Sequence, residues 1–277
     1  VDDLTDDFLF SLWRDAGKRR GKSNNFLKGK VLTNLFYEPS TRTSSSFYSA
    51  MSRCGGSTIP INNVQFSSAA KGETFEDTVI TMSTMSDAIV VRHSENGAAH
   101  KAANVSSVPI INAGDGNSEH PTQTIIDGFT IYNSFNKNLS NLRVTLIGDL
   151  KNGRTVKSLV KLLNRFDNNH FNLVSPKHLK LSNDLPKSYY ETTDINEVLE
   201  ETDILYVTRV QKERGSVHSY SLTSDQLNTL PSKSIVMHPF PRVNEIPTDF
   251  DKNKRAKYFD QIKFSVWCRQ ILLERVM

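Results

Sequence analysis

Three hydroxyls and a guanidinium stand side by side at Ser40, Thr41, Arg42 and Thr43, just behind Glu38 and Pro39. An apolar run ends at Phe36, and beyond the cluster Phe47, Ala50, Met51 and Cys54 recur at helical spacing. The cluster therefore reads as the N-terminus of a helix that follows a strand. Unpaired N–H groups and the helix dipole favour an anion there, and arginine adds a two-pronged donor matched to phosphate. Ordinary capping by Ser40 or Thr41, with Arg42 in a surface ion pair, would draw on the same residues. Three hydroxyls and an arginine are more than a cap requires.

Further polar stretches sit at the ends of apolar runs. His120 immediately precedes Pro121, a residue suited to the first helical position, with Thr122 and Gln123 behind it. A histidine so placed can donate to a carbonyl oxygen that is gaining charge, and a helix N-terminus would keep it neutral; capping of the loop is its ordinary role. Residues 148–155, Gly-Asp-Leu-Lys-Asn-Gly-Arg-Thr, run from strand through loop to helix. They match neither nucleotide-binding glycine pattern, so Arg154 reads as an anion clamp or a solvated surface group. Arg209 and Gln211 are two apart and, if extended, share one side, where they could grip one carboxylate. His238-Pro239-Phe240-Pro241-Arg242 is stiffened by two prolines, one a candidate for a cis bond. Ser67 to Gly72 is a small-residue loop carrying Lys71, the composition of a mobile lid. Counting Arg42, Arg92, Arg154, Arg209, Lys71 and His120, the chain holds more anion-binding capacity than one phosphate needs. The substrate is expected to carry several negative groups, or to be two anions.

The elements that must position these residues alternate. Candidate strands lie at 31–36, 88–91, 108–112, 144–147, 171–174, 204–207 and 235–237, with a shorter one near Ile59. Helical patterns fall between them, such as Val156, Leu159, Val160 and Leu163. This order predicts βαβ units and mainly parallel sheets, which bind ligands outside the carboxyl ends of their strands. The polar, turn-rich residues 133–141 suggest a seam near the middle, approached by a helix that starts at Pro121. At 277 residues the chain suits one large domain or two small ones. Lys plus Arg exceed Asp plus Glu by only four, too little to argue for nucleic acid. No apolar run approaches the ~18 residues of a membrane span, and the acidic start lacks the pattern of a signal peptide. With two cysteines and no paired-cysteine motif, neither a disulfide framework nor a cysteine-rich zinc site is expected.

Taken in order, residues 36–43, residues 113–116 with 120–123, residues 148–155, residues 208–214 and residues 238–242 resemble the aspartate carbamoyltransferase family, catalytic chain. The resemblance runs from about Gly29 to the C-terminus. The Ser-Thr-Arg-Thr and His-Pro-x-Gln elements are shared with ornithine carbamoyltransferases. Arg154, Arg209 and Gln211 point to aspartate, and His238-Pro239-Phe240-Pro241 lacks the thiol typical of the ornithine enzymes.

The resemblance implies transfer of a carbamoyl group from carbamoyl phosphate to L-aspartate, an early step of pyrimidine synthesis. It implies an α/β fold of two doubly wound domains with mainly parallel sheets. Residues 1–132 with 258–277 would bind carbamoyl phosphate and residues 133–257 aspartate. Ser40, Thr41, Arg42, Thr43 and Arg92 would hold the phosphate. Thr43, Arg92 and His120 would bond the carbonyl oxygen, and Gln123 the carbamoyl amide. Arg154, Arg209 and Gln211 would grip the aspartate carboxylates, and the carbonyls of Phe240 and Pro241 would orient the two amino groups. Ser67 and Lys71 would reach in from the neighbouring subunit of a homotrimer. No metal and no cofactor are expected, and neither nucleic acid nor membrane is an expected partner. A regulatory chain or fused pathway enzymes are left open. A cytoplasmic location is expected, with organelle import open if a segment precedes Val1. Residues 1–20 resemble only part of the family's first helix, and residues 177–201 and 215–226 are shorter than usual. Two rival readings remain: carbamoyl transfer to a different amine, and an anion-binding scaffold without turnover.

Overall fold

The computed structural model describes residues 1–62, 72–209 and 220–277. The chain divides into two compact units, Val1–Phe129 with Ile262–Met277, and Thr130–Gln261. Both divisions fall inside helices rather than in the polar residues 133–141.

The first unit opens on α1 (Asp6–Arg19), capped by Thr5, whose hydroxyl accepts from the Phe8 N–H. Leu9, Leu12, Trp13 and Ala16 form its buried stripe. Its four strands are β1 (Val31–Phe36), β2 (Ser57–Ile61), β3 (Ala88–His93) and β4 (Ile110–Asp115), paired in the order β2-β1-β3-β4, all parallel. β1 and β3 carry nearly unbroken runs of buried residues, as strands covered on both faces must. The helices between them are α2 (Thr41–Arg53), α3 (Phe75–Ser83) and α4 (Ala98–Val105). Leu35, Ile89 and Val91 of the sheet pack with Val79, Met82 and Ala102 of α3 and α4. Pro60 costs little in β2, an edge strand.

Helix α5 (Pro121–Ser134) leads to the second unit. Its strands are β5 (Arg143–Ile147), β6 (His170–Val174), β7 (Tyr189–Thr192), β8 (Ile204–Val207) and β9 (Ile235–Met237), in the order β7-β6-β5-β8-β9, again all parallel. Helix α6 (Arg154–Leu163) buries Val156, Leu159, Val160 and Leu163, the periodic set of the sequence. A short α7 (Ser224–Thr229) precedes β9, and α8 (Tyr258–Val276) closes the chain.

Both sheets reverse direction once. β1 lies between β2 and β3, and β5 lies between β6 and β8. The chain therefore winds outward on one side, returns, and winds outward on the other. Loops leaving the two central strands part to opposite faces at that point, and the gap between them is where α/β sheets bind ligands.

Candidate functional site

In the first unit the reversal lies between β1 and β3, and the sheet register puts Phe36 beside Arg92. The loop after β1 runs into α2, with Ser40 at its N-cap and Thr41, Arg42 and Thr43 in its first turn. Ser40 makes no side-chain cap hydrogen bond, and the first turn holds no acid. Ordinary capping by Ser40 is thus not the use of its hydroxyl. Thr43 is buried and Arg42 exposed. Asn34 of β1 fixes the helix by donating to the Ser44 carbonyl at 3.2 Å. Below the first turn, the Ser46 hydroxyl donates to the carbonyls of Arg42 at 2.7 Å and Thr43 at 2.9 Å.

Arg92, 8% exposed, is steered by neighbours on both sides. Its guanidinium donates to the Ala113 carbonyl of β4 at 3.3 Å and to the Glu38 carboxylate at 2.9 Å. The loop that supplies the hydroxyl cluster therefore also supplies the acid that aims Arg92. Next to it, His93 is stacked against Tyr37 and Phe75, and burial lowers its pKa. His120 is 4% exposed at the head of α5, and its carbonyl accepts the Gln123 and Thr124 N–H groups. Its ring lies 3.5 Å from the Thr122 hydroxyl. Gln123, half-buried one step into the helix, donates its side-chain NH₂ to Asp127 at 2.8 Å.

One cation in this unit escaped the sequence reading. Arg269 of α8 is 3% exposed, donates to the Ser46 hydroxyl and lies 4.5 Å from the ring centre of Phe47. Burial pulls its pKa down to about 9. No carboxylate pairs with it among the described residues. A desolvated cation under the first turn of α2 adds to the field that draws an anion there. Its only sequence signal was an arginine amid apolar helical residues.

In the second unit the reversal lies between β5 and β8, and Ile147 is paired with Val207. Arg154 begins α6 behind Gly153, a helix start with no side-chain cap and no acid in its first turn. Arg209 stands two residues beyond β8. Both are half-buried. The close approach that joins their loops depends on Gly148, at φ +123°: a Cβ there would meet the Thr208 carbonyl oxygen at 2.3 Å. Asp149 braces the turn by accepting from the Asn152 N–H at 2.9 Å. Gln211, expected beside Arg209, lies outside the described residues, as do Ser67 and Lys71.

After β9, beside β8, the chain presents Phe240 and Pro241. Their peptide bond is cis and Phe240 has φ +55°. The Phe240 N–H donates to Nδ1 of the buried His238 at 2.8 Å, and the His238 N–H donates to Gln261 at 2.8 Å. Arg242 grips both oxygens of Asp251, which also accepts from the Tyr258 hydroxyl at 2.6 Å. The Arg242 hydrogen bonds hold the Asp251 carboxyl below its usual range, and burial with the Asp251 bond pushes the Tyr258 phenol up. These partners were absent from the sequence reading because each lies many residues from the loop it braces. Among the described residues, no three His, Cys, Asp or Glu side chains gather as a metal site requires. No described helix is long and apolar enough to cross a membrane.

The first reversal point thus carries Arg42 in the helix turn after β1 and Arg92 near the end of β3, and the second carries Arg154 at the start of α6 and Arg209 just beyond β8. Residues 1–133 match the model of the aspartate/ornithine carbamoyltransferase carbamoyl-phosphate-binding domain, and residues 140–276 match that of the aspartate/ornithine-binding domain. The chain belongs to the aspartate/ornithine carbamoyltransferase family. It is 45% identical over 296 residues to an aspartate carbamoyltransferase catalytic subunit of Thermoplasma volcanium, covering 100% of this chain and 96% of that one. A chloroplastic aspartate carbamoyltransferase of Arabidopsis thaliana is 43% identical, covering 97% of this chain and 74% of the other. The aspartate transcarbamoylase of Trypanosoma cruzi, crystallised with carbamoyl aspartate and phosphate, superimposes with a TM-score of 0.93 at 36% identity, over 100% of this chain and 94% of that one. The two doubly wound α/β domains are those the family resemblance implies.

Proposed function

We infer that this chain is an enzyme that transfers the carbamoyl group of carbamoyl phosphate to L-aspartate, releasing N-carbamoyl-L-aspartate and phosphate. The observation that carries the reading is the pair of arginine-lined reversal points, one in each unit. The first offers Ser40, Thr41, Arg42, Thr43 and Arg92 to a phosphate. The second offers Arg154 and Arg209 to a dicarboxylate; Gln211, outside the described residues, is added on the family resemblance alone.

The aspartate amine attacks the carbamoyl carbon, and its electron pair forms the new C–N bond. The carbonyl π pair moves onto oxygen, where Thr43, Arg92 and His120 donate to the developing charge. As the intermediate collapses, the C–O bond to phosphate breaks and phosphate leaves with that pair. A phosphate oxygen accepts the amine proton, so no protein base is required. Two anions cannot be brought together without cancelling their charge, and the arginines supply the cancellation and the orientation. The carbonyls of Phe240 and Pro241 accept from the amino groups in this scheme.

A homotrimer with shared sites belongs to the same proposal, with Ser67 and Lys71 serving the adjacent subunit. A cytoplasmic location is also proposed, supported by Cys54 and Cys268 both being free and buried. The test is a colorimetric assay for carbamoyl-aspartate, with ornithine as a competing acceptor. Turnover with aspartate alone is expected. Comparable turnover with ornithine, or none with either, overturns the reading.

A further inference from the structure

Arg269 lies in the part of α8 that belongs to the first unit, among the buried Cys268, Gln270 and Leu273 of the same helix. A charge taken out of water in such a place is ordinarily matched by an opposite one. Here the groups that bear on the guanidinium are the Ser46 hydroxyl, the face of Phe47, the Cys268 thiol and a second cation, Arg92. Its Nε is buried and has no hydrogen-bond partner among the described residues. Burial is the main influence against its charge, and Arg92 acts in the same direction. Arginine nonetheless keeps its proton at neutral pH. A buried cation near another cation, with no acid of its own, destabilises the fold until something negative arrives.

Arginine can only donate, so the Ser46 oxygen accepts from Arg269. The Ser46 proton is sent on to the carbonyls of Arg42 at 2.7 Å and Thr43 at 2.9 Å. The Arg42 carbonyl and the Thr43 N–H are the two ends of one peptide unit. That N–H lies in the first turn of α2, where helix geometry leaves donors without an intrahelical partner and where Ser40 makes no side-chain cap bond. Hydrogen bonds in a chain polarise one another by about 10–30% each. The cation behind the helix therefore strengthens the donor in front of it. We propose that Arg269 is a positioning residue whose counter-ion is the phosphate group of the substrate, reached through Ser46 and the first turn of α2. The empty protein carries an unmatched buried charge, and phosphate binding offsets it. The inference rests on the phosphate reading of the first unit given above.

The variant is Arg269→Met, which fills much of the same space and removes the charge and its donors. Thermal unfolding is followed with and without inorganic phosphate, and phosphate inhibition and the KM for aspartate are measured alongside. Inorganic phosphate must first stabilise the wild-type protein; if it does not, the phosphate reading of the first unit fails and this inference with it. Given that stabilisation, the variants test this inference alone. Without phosphate, Arg269→Met should unfold at or above the wild-type temperature, because an apolar side chain replaces an unmatched buried charge. Its inhibition constant for phosphate should rise about tenfold, and the gain in unfolding temperature that phosphate brings should shrink accordingly. The KM for aspartate at saturating carbamoyl phosphate should stay within about twofold. Arg269→Lys, which restores the charge, should recover part of the phosphate affinity. Ser46→Ala keeps the cation and cuts the link; it should weaken phosphate about threefold and add nothing on the Arg269→Met background. A merely structural arginine would give the reverse pattern, a lower unfolding temperature without ligand and an unchanged phosphate constant, and that pattern overturns the proposal. Should Arg269→Met fail to fold, Ser46→Ala decides, and an unchanged phosphate constant in that variant overturns it as well.

Discussion

Gly148→Ala tests the close approach between the loops that carry Arg154 and Arg209. Gly148 has φ +123°, a conformation left almost entirely to glycine, and an alanine held there costs about 1–3 kcal/mol. The added Cβ would also stand 2.3 Å from the Thr208 carbonyl oxygen and 2.5 Å from its hydroxyl, where ordinary contact begins at 3.4 Å. Thr208 donates to the Ile147 carbonyl through both its N–H, at 2.8 Å, and its hydroxyl, at 3.0 Å, which ties it to the end of β5, so relieving the contact disturbs that junction. The ends of β5 and β8 must therefore part by roughly 1 Å, and misplacement on that scale costs about 10²-fold in a reaction that depends on orientation. The expected result is a loss of stability of about 2–4 kcal/mol and a fall of about 10²-fold in kcat/KM for aspartate. The affinity for inorganic phosphate, a ligand of the first unit, should stay within about threefold, an allowance of under 1 kcal/mol. Thermal unfolding, steady-state kinetics in aspartate and a phosphate-inhibition series read the three quantities. Gly29→Ala is the control: it also sits at positive φ, +83°, but its Cβ would meet nothing within 4 Å. It should lose stability and keep its kinetics. A folded Gly148→Ala enzyme with kcat/KM for aspartate within threefold of wild type would refute the argument.

Three further outcomes follow from the same structure. His120→Ala should lower kcat by roughly 10²–10³ with little change in phosphate affinity, the signature of a lost oxyanion donor; an unchanged kcat would make the histidine structural. Asp251→Asn should remove an acid-sensitive part of stability. The Asp251 pKa is depressed in the folded state by Arg242, so its contribution is present above the unfolded value near 3.9 and is lost as pH falls through the folded value. Denaturant melts at pH 7 should show a deficit of about 1–2 kcal/mol, after allowance for solvent screening, and that deficit should shrink as the pH falls below the ordinary carboxylate range. Lys71→Ala and Arg42→Ala subunits, each nearly inactive alone, should regain activity when mixed and reassembled, with about one site in four intact; exchange of subunits without recovery would remove the shared-site proposal.

Much of the fold was legible because burial on both faces leaves unbroken apolar runs. β1, β3, β5, β6, β8 and β9 all stood out in this way. β7 did not: it is an edge strand of four residues whose Tyr189 and Tyr190 are exposed, so it lacks the apolar run that marks its neighbours. α4 was placed only by its position between two strands, since it covers the sheet with Ala98, Ala99 and Ala102, side chains too small to mark a helical stripe. Among the described residues, the candidate site residues stood out by type, and most lie just beyond a strand or at a helix start, with Arg92 inside β3. Their partners did not. Glu38 is 54 residues from Arg92, and Ser46 is 223 from Arg269.

The sequence by itself determined the chemistry available to this protein. It set which loops carry arginine, hydroxyl and imidazole groups, because those loops are short and follow strands whose apolar character is local. It also determined that the strands lie parallel, because a helix-length segment separates most of them. Only the tertiary structure decided which loops become neighbours. The segments bearing Arg42 and Arg92 belong to neighbouring strands because β3 pairs with β1 rather than with β2, and those bearing Arg154 and Arg209 because β8 pairs with β5 rather than with β7. Strand order is a contest among alternative pairings of similarly apolar strands. It is won by long-range packing and by close approaches such as that of Gly148 to Thr208, which no local pattern of residues records.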